Sequence, residues 1–299
     1  MVAGIVRDGQ VIWKKTYGFA DIQKNIPVSD STIFHLASLT KTFASTVIMQ
    51  LVSENKINLY APVSNYGVNL SEQDTVRVIH LLTHTSEGIP GNKYKYNGDR
   101  YALLSKIIES ATGAGFDRLT AERIIQPLGL GSTAPGDLNL AAANAFDTAR
   151  LRRHTAQGYS SNGVQAVEYP KIFSTAAGLA SNIDDMLKYA EAFDRNLLLT
   201  DELKARVFAP MISNQGKTLP YGLGWFVQKK EAISINWHYG YWIGMSSLII
   251  RVPEQRTAFV LMANSDMLSA PYPLGNGDIW VSPYAREFLK SFVLAGARL

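Results

Sequence analysis

The run Phe34-His35-Leu36-Ala37-Ser38-Leu39-Thr40-Lys41-Thr42-Phe43-Ala44-Ser45-Thr46-Val47-Ile48-Met49-Gln50-Leu51 decides how the rest of the chain is read. Ala37, Ala44, Val47, Ile48 and Leu51 recur at spacings of three and four, so a helix is predicted from Ser38 onward with one apolar face against a core. Positions i and i+3 share a helix face, which brings the Lys41 ammonium within reach of the Ser38 hydroxyl. In a first turn, the unpaired backbone N–H groups and the positive end of the helix dipole favour an anion beside Ser38. A serine hydroxyl is a weak nucleophile until a neighbour takes its proton, and a desolvated, neutral lysine is such a neighbour. Ser-x-x-Lys alone also occurs on ordinary helix surfaces, so the pair acquires meaning only in company.

The 299 residues are 46% hydrophobic, enough for a large core. Basic and acidic residues, 29 and 25, are spread along the chain for a net charge of +4. No basic run is interleaved with aromatics, which argues against a nucleic-acid partner. The absence of cysteine excludes disulfides, Cys-ligated zinc and thiol catalysis, and leaves the compartment open. Residues 2–7 read as a strand, not as a signal peptide. The charge-free window 232–250 is nearly long enough to span a bilayer. Its Ser234, Asn236, His238, Gly240, Gly244, Ser246 and Ser247, and its alternation, make it strand instead, so no transmembrane segment is expected.

Two apolar runs flank Asp8-Gly9, a hairpin signal, and the strands are expected to continue through Asp21. Helices are predicted up to Leu81-Leu82-Thr83-His84-Thr85-Ser86, from the polar turn Tyr94–Asp99 to Gly113, from Phe116 to Ile125, and after an Asn182 cap. Residues 131–170 read as surface connections, and the small, apolar Phe173–Leu179 as a place of close packing. From Tyr221 the period becomes two: Leu223–Val227, Ile233–His238, Ser246–Val252 and Thr257–Asn264 read as consecutive antiparallel strands, followed by a capped amphipathic helix after Ser282-Pro283. The fold class is therefore α+β. Residues 1–35 and 200–299 would form an antiparallel sheet lobe flanked by helices, and 36–199 a mainly helical lobe, within one domain. Trp225 reads as core and Trp242 as a pocket wall; Glu168, Asp184 and Asp185 as solvated or capping. His80 and His84 read as helix-end or core residues, because no metal-ligand spacing accompanies them. There is no Gly-x-Ser-x-Gly and no phosphate-binding glycine loop, and no cofactor or metal is called for.

Ser38-x-x-Lys41, Tyr96 on its polar turn, and His238-Tyr239-Gly240 with Gly244 behind it stand in this order. With Gly18-Phe19-Ala20-Asp21, Leu81–Ser86, Pro127-Leu128-Gly129-Leu130 and Tyr221-Gly222-Leu223-Gly224-Trp225, the chain resembles the serine β-lactamase and penicillin-binding-protein family. The nearest branch is that of class C β-lactamases, D-alanyl-D-alanine peptidases and family VIII esterases. The resemblance implies an active site between the two lobes. It implies Ser38 as nucleophile and Lys41 as the group that orients and helps deprotonate it. It implies Tyr96 as a partner of the lysine that returns a proton to the leaving group. His238 would either hold Tyr96 or contact a substrate carboxylate, and the N–H groups of Ser38 and Tyr241 would form an oxyanion hole. Asn97, Tyr239, Gly240 and Trp242 would line the substrate site. An acyl-enzyme route needs such a set: a nucleophile, a proton acceptor that becomes a donor, and donors for charge developing in the transition state.

Three departures bear on this. Tyr96-Asn97-Gly98 stands where the family has Tyr-Ser-Asn, so Gly98 replaces the asparagine that binds a substrate amide. Glu87 interrupts a serine-to-glycine step, and the chain begins at a strand where the family has a helix. The departures around Tyr96 put β-lactam turnover in doubt and leave ester hydrolysis in place. The leading expectation is an esterase acting on small-acyl esters through an acyl-enzyme. The alternatives are a D-amino-acid peptidase or transpeptidase, a weak β-lactamase, and a penicillin-binding sensor or inactive homologue without turnover. Substrates would be small esters, amides or D-peptides. Family members are often exported; compartment and oligomeric state are not legible.

Overall fold

The computed structural model describes residues 1–70, 75–137, 146–160 and 165–294. Six antiparallel strands form the central sheet: β1 (Val2–Arg7), β2 (Gln10–Thr16), β3 (Phe226–Lys230), β4 (Ile233–Trp242), β5 (Met245–Val252) and β6 (Thr257–Ala263). Their spatial order is β3-β4-β5-β6-β1-β2, so strands from the two ends of the chain meet where β1 pairs with β6, Val2 opposite Met262. Both sheet faces are covered, which is why β5 and β6 are buried along their whole length and β6 is almost entirely apolar. Ala258, Val260 and Met262 point into a core shared with α1 (Thr40–Ser53), which carries Ser38's downstream neighbours. That core also takes in Ile183 and Met186 of α5 (Ile183–Ala192), a helix capped by the Asn182 side chain accepting from the Asp185 N–H. Phe259 and Leu261 point the other way, onto Ala285 and Phe288 of α6 (Pro283–Phe288).

Between them lie α2 (Val78–Leu82), α3 (Gly98–Ala102) and α4 (Leu104–Thr112), the last ending at Gly113 in the left-handed region. Several elements differ from the sequence expectation. β2 stops at Thr16, and Phe19–Asp21 forms a separate short ribbon with Ile26–Pro27 after a left-handed Gly18. The predicted strand from Leu223 begins only at Phe226, because Gly224 (φ +90°) bends the chain against α1, with Ser45 donating to Leu223 O. In 131–170 the described part holds a helix, Thr148–His154, capped by Asp147, and a two-stranded ribbon. The remainder of that expectation, at 138–145 and 161–164, lies outside the described residues. Asp184 and Asp185 are not simply solvated. Asp184 pairs with Lys14 at 2.7 Å, and the buried Asp185 carboxylate accepts from the Ser132 N–H (2.7 Å) and Thr133 Oγ1 (3.0 Å). Periodicity cannot show such pairs, which join residues 52 or more positions apart. Trp225 is fully buried core.

One packing detail fixes the site. The Ser38 turn is tied to the sheet where Ser247 Oγ donates to Leu36 O at 2.7 Å, with Gly240 lying directly against both atoms. A Cβ at Gly240 would collide with Leu36 O and Ser247 Oγ. Gly240→Ala is expected to cost about 2–3 kcal/mol of stability by overpacking, read as a shift in urea midpoint. An unchanged midpoint would mean that the turn is not held there.

Candidate active site

Ser38 lies in a single 3-10 turn, Ala37–Leu39, and the α-helix proper begins at Thr40. The turn is held from three sides. Leu36 N donates to Leu179 O (2.8 Å), Thr40 Oγ1 donates to Ala37 O (2.7 Å), and the Leu179 N–H donates to Thr40 Oγ1 (3.1 Å). Ala37 sits at φ +47°, a conformation costly for an L-residue that only over-determined surroundings retain. The consequence is that Ser38 stands partly exposed at the floor of a cavity of about 850 Å³ while its flanking residues are buried.

Lys41 is almost completely buried, with Nζ 2.9 Å from Ser38 Oγ and 2.8 Å from Ala176 O. Ala176 is positioned by its neighbour: Thr175 Oγ1 donates to Tyr101 O at 2.9 Å, and Tyr101 in turn donates to Lys41 O at 3.2 Å. This is the close packing expected of Phe173–Leu179. Burial brings the lysine pKa down from 10.5 to about 7, against the opposing field of Asp99. A neutral amine has two hydrogens and one lone pair. A hydrogen on Ala176 O leaves the lone pair available to the Ser38 proton.

Tyr96 forms the adjoining wall, its ring centroid 5.1 Å from Lys41 Nζ. Its hydroxyl is buried and has no hydrogen-bond partner among the described residues. Burial, with Tyr239 nearby, pushes its pKa well above the ordinary tyrosine range against the opposing effect of Ser38 beside it, so the phenol keeps its proton at neutral pH. Tyr241 and Trp242, about half-exposed on the last turn of β4, close the opposite wall with Ile172, Phe173 and Met245. β3 pairs with β4 only as far as Trp237, whereas β5 continues to Trp242, so this last part of β4 has a free edge towards the Ser38 turn.

The remaining candidates stand behind the wall. His238 is fully buried: Tyr221 Oη lies 2.8 Å from its Nε2, and its Nδ1 lies 2.7 Å from Tyr239 O. It reaches neither the Tyr96 hydroxyl nor the cavity, and burial with the nearby Lys41 holds it neutral. Tyr239 lies against the Tyr96 ring (5.9 Å between centroids) and Gly240 supports the Ser38 turn. The Asn97 side chain is occupied twice, accepting from the Arg100 N–H (3.0 Å) to cap α3 and donating to Glu87 Oε2 (3.2 Å). It therefore does not stand in for the missing asparagine. Gly98 opens onto the cavity with nothing near its Cα on that side. Sequence reading missed Asp99 and His35, both on the cavity lining, and the carbonyl of Ala176. Asp99 follows Gly98 in the quoted turn and was legible by adjacency; a backbone carbonyl leaves no signal.

The Beta-lactamase family profile matches residues 1–278. The chain belongs to the β-lactamase family. Among curated proteins it is 25% identical to a D-aminopeptidase of Gluconobacter oxydans (strain 621H), covering 87% of this chain and 54% of that one. It is 23% identical to penicillin-binding protein 4* of Bacillus subtilis (strain 168), covering 86% and 66%. The chain thus spans between about half and two thirds of these relatives' lengths. Among solved structures it resembles the octameric penicillin-binding protein homologue from Pyrococcus abyssi, with TM-score 0.78, 22% identity and coverage of 97% and 73%. It also resembles the D-amino acid amidase from Ochrobactrum anthropi SV3, with TM-score 0.75, 19% identity and coverage of 97% and 94%. These neighbours share the antiparallel sheet and helical arrangement. No described helix is long and apolar enough to cross a membrane.

Proposed function

We propose that this protein hydrolyses small esters, and amides more slowly, through an acyl-enzyme on Ser38. The observation that carries the reading is the buried Lys41 amine 2.9 Å from Ser38 Oγ, brought near neutrality by desolvation. Two groups whose environments push their pKa values apart divide acid and base work between them. Lys41 takes the serine proton as Oγ attacks the carbonyl carbon. The protonated lysine and the protonated Tyr96 phenol then supply a proton to the leaving oxygen or nitrogen as the C–O or C–N bond breaks. Water, deprotonated by the same set, releases the acid. Backbone N–H groups at Ser38 and Tyr241 would receive the oxyanion. Apolar walls from Ile172, Phe173, Trp242 and Met245 suit an apolar acyl group.

A second reading has support of its own. Asp99 places a carboxylate on the cavity wall, suited to the α-ammonium of an amino-acid amide, and the relatives include a D-aminopeptidase and a D-amino acid amidase. Gly98 removes a group that would bind a β-lactam amide, which ranks penicillin or cephalosporin turnover last. Initial rates on p-nitrophenyl butyrate, D-alanine p-nitroanilide and a chromogenic cephalosporin rank the three. We expect the ester to exceed the cephalosporin by about 100-fold or more in kcat/KM, roughly the 3 kcal/mol that a positioned amide donor supplies. D-alanine p-nitroanilide outrunning the ester would replace the first reading with the second.

A further inference from the structure

Outside the Ser38–Lys41–Tyr96 set, one buried group has an unusual conformation and an unpartnered atom. His84 sits at φ +54°, is 2% exposed, and carries its ring against Tyr96 with centroids 4.3 Å apart. Its backbone carbonyl accepts from the Lys95 N–H at 2.8 Å. Its ring Nδ1 accepts from the Asn97 N–H at 3.1 Å. One residue therefore grips the chain on both sides of Tyr96. The left-handed backbone is what allows this: it turns carbonyl and ring towards the same segment. Because Nδ1 accepts, the ring proton is on Nε2, which is buried and has no partner among the described residues. Burial, with Lys41 and His238 nearby, keeps the ring neutral, so the acceptor at Nδ1 persists across the working pH range. Tyr94, Tyr101 and Tyr221 complete the aromatic box, with ring centroids 6.1, 5.2 and 4.9 Å from His84.

We propose that His84 is a positioning residue that sets the place of the Tyr96 hydroxyl by holding both of its chain neighbours, and that it acts on the reaction only through Tyr96. This rests on the reading of Tyr96 as proton donor to the leaving group. A buried imidazole that merely filled space would need neither the strained backbone nor the bond to Asn97. Apolar rings fill space without leaving an unpartnered nitrogen, so the nitrogen pair has a use that offsets its burial.

The test uses the whole protein and p-nitrophenyl butyrate. His84→Phe keeps a ring and removes the acceptor. It is expected to lower kcat about 30- to 100-fold with KM within about 3-fold, the pattern of a displaced proton donor. His84→Asn, which tolerates positive φ and offers Oδ1 in place of Nδ1, is expected to recover kcat to within about 5-fold of wild type. The decisive readout is the cycle with Tyr96→Phe: in that background His84→Phe should cost less than about 2-fold. Equal losses with and without the Tyr96 hydroxyl would overturn the proposal, as would a His84→Phe variant at full kcat or an asparagine no better than phenylalanine. Where circular dichroism shows His84→Phe unfolded, His84→Gly, suited to the same φ, takes its place in the cycle. A failure of the underlying reading looks different, since Tyr96→Phe itself would then retain full activity.

Discussion

Ser38→Ala is expected to lower p-nitrophenyl butyrate hydrolysis by on the order of 10³-fold or more while leaving circular dichroism and melting temperature nearly unchanged. The stability side follows from what the side chain touches. Ser38 is partly buried, and its hydroxyl accepts from Lys41 Nζ at 2.9 Å with the Tyr96 phenol beside it. The turn itself is held by Leu36, Thr40 and Leu179, none of which is disturbed. Lys41 keeps its bond to Ala176 O. The activity side follows from covalency. The proposed oxyanion donors and the cavity remain, and they would still accelerate attack by water, but no acyl-enzyme can form. Intact-mass measurement of the wild type mixed with a slowly deacylating ester should show an adduct on Ser38 that the variant lacks. An alanine variant with wild-type rates would end the nucleophile assignment. A wild type that acylates and does not turn over would instead favour the sensor reading.

How far the sequence could be read depended on the range of the interaction. The sheet was legible because strand alternation and turn residues are local, and the meeting of both chain ends in one sheet followed from placing strands at both ends. Ser38 and Lys41 were legible because three residues on a helix is a local distance. The Tyr96 neighbourhood was not. Two departures from the family pattern, Glu87 and Asn97, are partners of each other, and Lys95 also pairs with Glu87 at 3.0 Å. Each looks like a defect when read singly; together they brace the turn that carries Tyr96. His84 is the buried residue the sequence suggests, just past the end of α2, but nothing local reveals that its backbone is left-handed or that its ring faces Asn97. His238 shows a different limit. Its ring lies 6.2 Å from that of Tyr96, but its Nε2 meets Tyr221 Oη, a partner 17 residues upstream that no local pattern reveals.

Lys41→Met separates what the buried lysine does for catalysis from what it costs the fold. Because the folded protein holds Lys41 near pKa 7 and an unfolded chain returns it to 10.5, the unfolded state binds more protons between these values. Stability contributed by this site therefore rises with pH from about 7 to 10.5, and the full penalty applies below pH 7. That penalty is on the order of a few kcal/mol. Methionine fills nearly the same volume without a charge, but leaves Ala176 O without its donor, which costs about 1–3 kcal/mol. The net expectation at pH 6 is a variant whose melting temperature is higher by several degrees, with the difference shrinking or reversing by pH 9 to 10. Activity goes the other way. Attack needs neutral lysine, so wild-type kcat/KM should rise with pH through about 7, with Asp99 holding that limb up. Lys41→Met should lose about 10³-fold or more of the rate on the plateau above pH 7 together with the limb itself, so that its deficit narrows as pH falls. Asp99→Asn, which removes the opposing field, should move the limb to lower pH. A wild-type limb that stays in place in Asp99→Asn and survives in Lys41→Met would assign the base to another group. A stability difference that does not change between pH 6 and 10 would mean that Lys41 is not carrying the proton that distinguishes folded from unfolded chain.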